Sequence, residues 1–286
     1  MYTKPIDLHV HSTCSDGTYT PTELISLASD AGLSAIALTD HDSIAGIQEA
    51  VQAASHTDIE IIPGVELSCD YDGQEVHMLG LYIRPDDEEF SAKLEEFGRV
   101  RESRNKHMVE LLAEEGLDIT YEKLIAANPD SVITRGNIAR YLVENGCVKD
   151  RSTVFSKYLG DDCCCFVPRP KISPTEAITL IHQAGGLAFL AHPLLYHMNL
   201  ESLTELLTKL KANGLDGLEA VYSTYQPGDE RNMKKLAEEL DLLISGGSDF
   251  HGSNKPHIRL GVGMGWLYVP HEILTRIQDA KTQAKP

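Results

Sequence analysis

Positive charge is scarce in this chain: 25 Lys and Arg stand against 43 Asp and Glu, a formal charge of −18. A broad nucleic-acid-binding face would be basic, so this balance argues against one. Long apolar runs are missing too. No window approaches the roughly 20 apolar residues of a membrane span, and Met1 to Pro5 lead to the first expected strand without an apolar signal region. A cytoplasmic protein without membrane contact or a stable protein partner is expected. The six cysteines have no CxxC spacing: Cys163, Cys164 and Cys165 are adjacent, while Cys14, Cys69 and Cys147 are scattered. Reduced thiols fit this better than a disulfide framework. If the triplet lies in a strand, its members point to opposite faces, which discounts a shared soft metal. GxSxG, P-loop and GxGxxG motifs are all lacking, and Gly261-x-Gly263-x-Gly265 has the wrong spacing and reads as a turn.

Histidines and carboxylates at telling positions are what the chain does have. It opens with Asp7-Leu8-His9-Val10-His11 and closes with Gly247-Ser248-Asp249-Phe250-His251. Between them lie Asp16, Thr39-Asp40-His41-Asp42, Glu66, His77 and Ala191-His192-Pro193. Residues two apart in a strand share a face, so His9 and His11 can reach one ion together, as can Asp249 and His251. Each motif alone has a plainer explanation: Asp16 before Gly17 as a turn residue, Glu66 as a paired buried acid, His77 as a half-buried histidine. Their conjunction is what points to a site. His56, His107, His182 and His271 fall in helical or loop contexts and read as structural or solvated.

Apolar strand-like runs alternate with helical ones, the pattern of a parallel α/β sheet or barrel. Strands are expected at 6–11, 36–40, 59–66, 75–83, 187–192, 217–222 and 242–245. Helices are expected at 20–31, at 43–55 with Ser43 as cap, and at 174–184, 200–213 and 229–240, with a last one after His271 that ends in a polar tail. Most candidate ligands then fall at or past the C-terminal ends of their strands, the active face of (β/α) barrels. His77 is the exception, early in its run. Residues 86–171 break the alternation and look all-helical, with helices at 87–115, 121–127, 136–145 and 152–159. They hold 13 of the 25 basic residues against 17 acids, a charge of −4, while the other 200 residues carry −14. The expected organisation is a barrel from 1–85 and 172–286, with 86–171 inserted as a helical cap and substrate domain.

Nine candidate ligands, His9, His11, Asp16, His41, Glu66, His77, His192, Asp249 and His251, are too many for one ion. An all-nitrogen-and-oxygen set suits Mn, Zn or Fe, and its lack of thiolates argues against a closed structural zinc site. Shared among two or three divalent ions, these ligands leave open positions. Clustered ions generate a hydroxide at neutral pH and clamp the oxygens of a displacement at phosphorus. Through such a hydroxide Asp16, His41, Glu66, His192 and Asp249 are expected to be catalytic. Substrate-binding candidates are Arg101, Arg104 and Arg135 from the insertion, with His197, Lys255 and His257 beside the later motifs.

The order DLHVHS, TDHD, PGVE, a His in the next strand, AHP and GSDFH resembles the polymerase-and-histidinol-phosphatase (PHP) superfamily over nearly the whole chain. The insertion and Thr134-Arg135-Gly136-Asn137-Ile138-Ala139-Arg140 make it similar to the subgroup of nucleoside 3′,5′-bisphosphate phosphatases and the related 5′-to-3′ exoribonuclease. The resemblance implies a distorted seven-stranded (β/α) barrel with a trinuclear site. His9, His11, Glu66 and Asp249 would hold one ion, Asp16, His41 and His251 a second, and Glu66, His77 and His192 a third. Several relatives have histidine at Asp16, Pro-His at Gly136-Asn137, and glycine or a basic residue after AHP where Leu194-Leu195-Tyr196-His197 follows here. The implied function is hydrolysis of phosphate esters of small nucleotides, a 3′,5′-bisphosphate or a 5′-monophosphate such as AMP. The alternatives are a 5′-3′ exoribonuclease on short RNA 5′ ends, a histidinol-phosphate phosphatase and a non-catalytic PHP module.

Overall fold

The computed structural model describes residues 4–129 and 131–283. The first and last three residues, expected as the lead into the first strand and as the polar tail, lie outside the described residues. Strands β1 (Ile6–Val10) and β2 (Ala35–Leu38) are buried at every position, because one face lines the barrel and the other is covered by helices. Helix α1 (Pro21–Asp30) starts as expected: Thr20 and Glu23 form a reciprocal capping box and Pro21 occupies the first turn. Helix α2 (Ile47–Ala54) starts later than expected, with Gly46 at its cap. Ser43 instead accepts from the Ala45 N–H in the preceding turn.

Strands β3 (Glu60–Tyr71) and β4 (Gln74–Leu81) form a hairpin, turning at Asp72 and Gly73 with φ of 52° and 84°. β4 runs antiparallel to both β3 and β5 (Leu187–Leu190), which corrects the expectation of an all-parallel sheet. The reversal accounts for His77: the start of a reversed strand lies at the same barrel end as the C-termini of its parallel neighbours. Glu66 lies in the middle of β3, not at its end, because the strand continues into the hairpin.

The chain then leaves the sheet for α3 (Glu88–Glu114), α4 (Tyr121–Ala126), α5 (Arg135–Glu144), α6 (Arg151–Val154) and a π-helical turn, Phe155–Leu159. These elements share an apolar cluster that includes Met108, Leu112, Leu124, Ile138, Leu142 and Val154. The Cys triplet lies in the bends after the π turn, not in a strand. Helix α7 (Pro174–Gln183) returns the chain to β5, and α8 (Leu200–Ala212), β6 (Gly217–Tyr222), α9 (Pro227–Glu239), β7 (Leu243–Gly247) and α10 (His271–Gln283) follow.

The seven strands lie in sequence order, and the ends of the sheet meet in a nearly closed barrel. His11 N–H donates to Phe250 O at 3.0 Å and Asp249 N–H to His9 O at 2.8 Å. Gly247 permits this approach, since a Cβ there would stand 2.5 Å from His9 N. The buried Asp7 carboxylate completes the seam, accepting from the N–H groups of Ser248 and Gly261 at 2.8 Å each.

Candidate active site

All nine histidine and carboxylate candidates converge at one mouth of the barrel. His9 Nε2 and His11 Nε2 lie 3.3 and 3.2 Å from Glu66 Oε2, and 3.6 and 3.3 Å from Asp249 Oδ1. Across the cluster, Asp16 Oδ1 faces His251 Nε2 at 3.1 Å, His41 Nε2 at 3.9 Å and His11 Nδ1 at 4.0 Å. Glu66 is the hub. Its Oε1 meets His77 Nδ1 at 2.8 Å and His192 Nε2 at 3.0 Å, and its Oε2 meets His41 Nδ1 at 3.1 Å. Three groups have ligand atoms within 4.8 Å of one another: His9, His11, Glu66 and Asp249; His11, Asp16, His41 and His251; and His41, Glu66 and His77. His11 and His41 thus each face two groups, whereas the resemblance gave each to one.

The backbone is bent to make these contacts. His192 and Asp249 have φ of 28° and 55°, in the left-handed region that non-glycine residues rarely enter. Asp40 does not face the cluster. Its carboxylate accepts from Ser12 N–H at 2.8 Å and from the hydroxyls of Ser12 and Ser15, fixing the loop that carries Asp16.

Buried polar groups without partners are costly, and this mouth is crowded with them. His9 Nε2, both His11 nitrogens, Asp16 Oδ1, His41 Nδ1 and Glu66 Oε2 are buried without a hydrogen bond among the described residues. Facing one another with the chemistry of nitrogen and oxygen donors, they fit divalent cations. Burial opposes charging of these imidazoles, yet Asp249 and Glu66 lift His11 to about 9. Glu66 and Glu75 lift His77 to about 10 against the same burial. His41 is pushed by burial down to about 3. The cluster thus presents strong negative potential to a cation.

Beyond the candidate ligands opens a cavity of about 310 Å³ with cationic walls. Arg101, Arg104, Arg135 and Lys255, all singled out from sequence, line it, as do Arg151, Arg169 and Lys171, which sequence reasoning missed. His197 and His257 are exposed and are not among its lining residues. Most of the cations are braced. Asp42 Oδ2 takes Arg169 at 3.0 Å and also Arg101, Glu75 takes Lys171 at 2.7 Å and Arg135 at 3.4 Å, and Lys255 reaches Asp249 at 2.6 Å. Arg104 is different. It is 9% exposed, its Nε has no partner, and burial with the nearby Arg101, Arg169 and Arg135 charges pulls it down to about 9. A buried cation that makes no ion pair among the described residues, facing a cavity, is suited to an anionic ligand.

A barrel with a histidine–carboxylate cluster at its mouth and an anion-seeking cavity above it defines a hydrolase of the metal-dependent phosphoesterase kind. Comparison with known proteins agrees. The PHP domain profile matches residues 7–160. The chain is 40% identical over 250 residues to the 5′-3′ exoribonuclease of Haemophilus influenzae, covering 87% of this chain and 90% of that protein. It is 36% identical over 248 residues to the 3′,5′-nucleoside bisphosphate phosphatase of Chromobacterium violaceum, covering 86% and 87%. A solved structure of a candidate metal-dependent phosphoesterase from Bifidobacterium adolescentis matches with a TM-score of 0.86 at 31% identity, over 96% of both chains. The chain belongs to the PHP domain family. It is a hydrolase of phosphoric ester bonds.

No helix among the described residues is long and apolar enough to cross a membrane.

Proposed function

We propose that this chain removes phosphate from a small nucleotide, a nucleoside 3′,5′-bisphosphate or 5′-monophosphate, and that 86–171 serves as its substrate cap. The observation that carries this reading is the contiguity of the two halves of the site: Asp16, His41, His77 and His251 line the same cavity as seven Lys and Arg residues. About 310 Å³ is near the lower end of small-molecule sites, a size suited to one nucleotide. The cap supplies Arg101, Arg104, Arg135, Arg151, Arg169 and Lys171 to it.

His9, His11, Glu66 and Asp249 would hold one ion, with Asp16, His41, His77, His192 and His251 completing the set for two to three Mn, Zn or Fe ions. Bound there, divalent ions supply a more acidic water and offset charge on the phosphoryl oxygens. The chain's own residues do the rest. Arg104, lacking an internal acceptor, takes a phosphate oxygen, and Arg135 and Lys255 flank it. The imidazoles of His41 and His251 wall the reacting phosphoryl group on the barrel side. All six cysteines are free thiols, which favours a reducing compartment such as the cytoplasm.

The second reading is a 5′-3′ exoribonuclease, favoured by the name of the Haemophilus influenzae relative. Phosphate and mononucleotide release by the Mn-loaded protein would be measured on a nucleoside 3′,5′-bisphosphate, a nucleoside 5′-monophosphate and a short 5′-phosphorylated RNA. A preference for the small nucleotides supports the first reading. Stepwise release of mononucleotides from RNA replaces it with the second, and no turnover of any of the three by metal-loaded protein defeats both.

A further inference from the structure

Two phenyl rings, Phe155 and Phe166, line a cavity whose other walls are charged, imidazole or hydroxyl groups and Gly136. Both are only partly buried, so each keeps apolar surface open in a place where charge dominates. Phe155 packs at the edge of the cap's apolar cluster and begins the π-helical turn Phe155–Leu159. Such turns are rare and recur at functional sites. Phe166 carries the Arg135 guanidinium over its ring at 5.3 Å. Arg135 also reaches Asp161 at 2.6 Å and the Leu159 carbonyl at 3.3 Å, which ties its position to the segment bearing both rings. A cation bracing an aromatic face beside an anion-seeking pocket matches a ligand with a planar ring and phosphate at either end.

We propose that Phe155 and Phe166 form a base subsite, on which the heteroaromatic ring of the substrate stacks while its phosphates lie against the cationic wall. This rests on the nucleotide reading of the site. Stacking is tolerant of base identity, because every base has a π face. The subsite therefore selects nucleotides over other phosphate esters without selecting among bases, and it lies on the cap.

The test compares kcat/KM on the preferred nucleotide with that on its base-free ribose counterpart bearing the same phosphates. Wild type, Phe166→Ala, Phe155→Ala and Phe166→Leu would be measured, the last keeping apolar volume but not the aromatic face. The expected result is a wild-type preference for the nucleotide that falls about 5- to 100-fold in the variants, with a smaller loss on the base-free ester because Phe166 also braces Arg135. Phe166→Trp should retain the preference. Equal losses on both substrates would overturn the subsite and leave the rings as cap packing, as would variants that keep the wild-type ratio. A wild type indifferent to the base would instead defeat the nucleotide reading, and the subsite with it.

Discussion

The Glu219 carboxylate, fully buried on β6, lies 3.1 Å from His9 Nδ1 and accepts the His192 backbone N–H at 2.8 Å. A carboxylate at Nδ1 holds the proton there and leaves Nε2 as a lone pair aimed at Glu66 and Asp249. Carboxylates behind metal-binding histidines fix ring orientation and raise basicity, and their loss typically costs about 10- to 100-fold in metal affinity or activity. Glu219→Gln keeps the size but sets an amide N–H where only acceptors are wanted. Metal affinity, measured by titration of the folded variant, should fall by that amount while the circular dichroism spectrum stays native. Unchanged affinity would relieve Glu219 of any part in holding the ion.

Glu66 is expected to matter more than Glu219, since His9, His11, His41, His77 and His192 all lie within 3.3 Å of its two oxygens. Glu66→Gln should lower metal content per chain and reduce kcat beyond the about 10- to 100-fold expected for the outer carboxylate. Chelation of the wild type should abolish phosphate release, and Mn, Zn or Fe should restore it. Elemental analysis beside the activity assay checks both; full activity in the chelated protein would refute the metal centre.

Gly136 couples helix α5 to the barrel. A Cβ there would stand 2.7 Å from Asp16 Oδ2 and 3.0 Å from Thr134 Oγ1, and Thr134 Oγ1 donates to that same Asp16 oxygen at 2.8 Å. Helix α5 starts against the carboxylate, and a side chain at 136 fits only if Asp16 shifts. Gly136→Ala should displace Asp16 and reduce occupancy at the Asp16, His41 and His251 group, while the group around Asp249 stays filled. Metal stoichiometry should drop by a fraction and not to zero. A variant with wild-type stoichiometry and activity would show that Asp16 can yield without consequence.

The convergence of the nine candidate side chains was legible because motif order and strand-end placement are local properties. The sense of β4 was not. Residues 75–83 have the apolar character of a strand in either direction, and the Asp72-Gly73 turn that reverses the chain falls between the strands expected at 59–66 and 75–83; His77, early in its run, is the visible trace of the reversal. The cavity's cations divide the same way. Arg135 stood out through its motif and Arg101 and Arg104 through helical spacing, whereas Arg169 and Lys171 reach the cavity only because the chain recrosses the barrel mouth beside Cys69. Glu219 was invisible because a lone acid inside an apolar strand carries no spacing, and its partners His9 and His192 are distant in sequence.

Arg101 and Arg104, three residues apart on α3, should respond oppositely to removal of charge. Arg101 is 6% exposed at its side chain and paired with Asp42, which is 2% exposed and also holds Arg169. Asp42→Asn retains a residue that tolerates the observed φ of 49° but leaves both guanidinium groups without their counter-charge. Breaking a buried pair from one side costs about 3–5 kcal/mol, so the denaturation midpoint should drop clearly. Arg104 has no acceptor among the described residues to lose. Arg104→Met should leave stability equal to or above wild type, because it removes a buried unpaired charge, and should raise KM about 10- to 100-fold, the worth of a charge-assisted hydrogen bond to phosphate. Denaturant titration and steady-state kinetics on both variants check the contrast. If Arg104→Met unfolds as readily as Asp42→Asn with KM unchanged, Arg104 serves the fold and not the substrate.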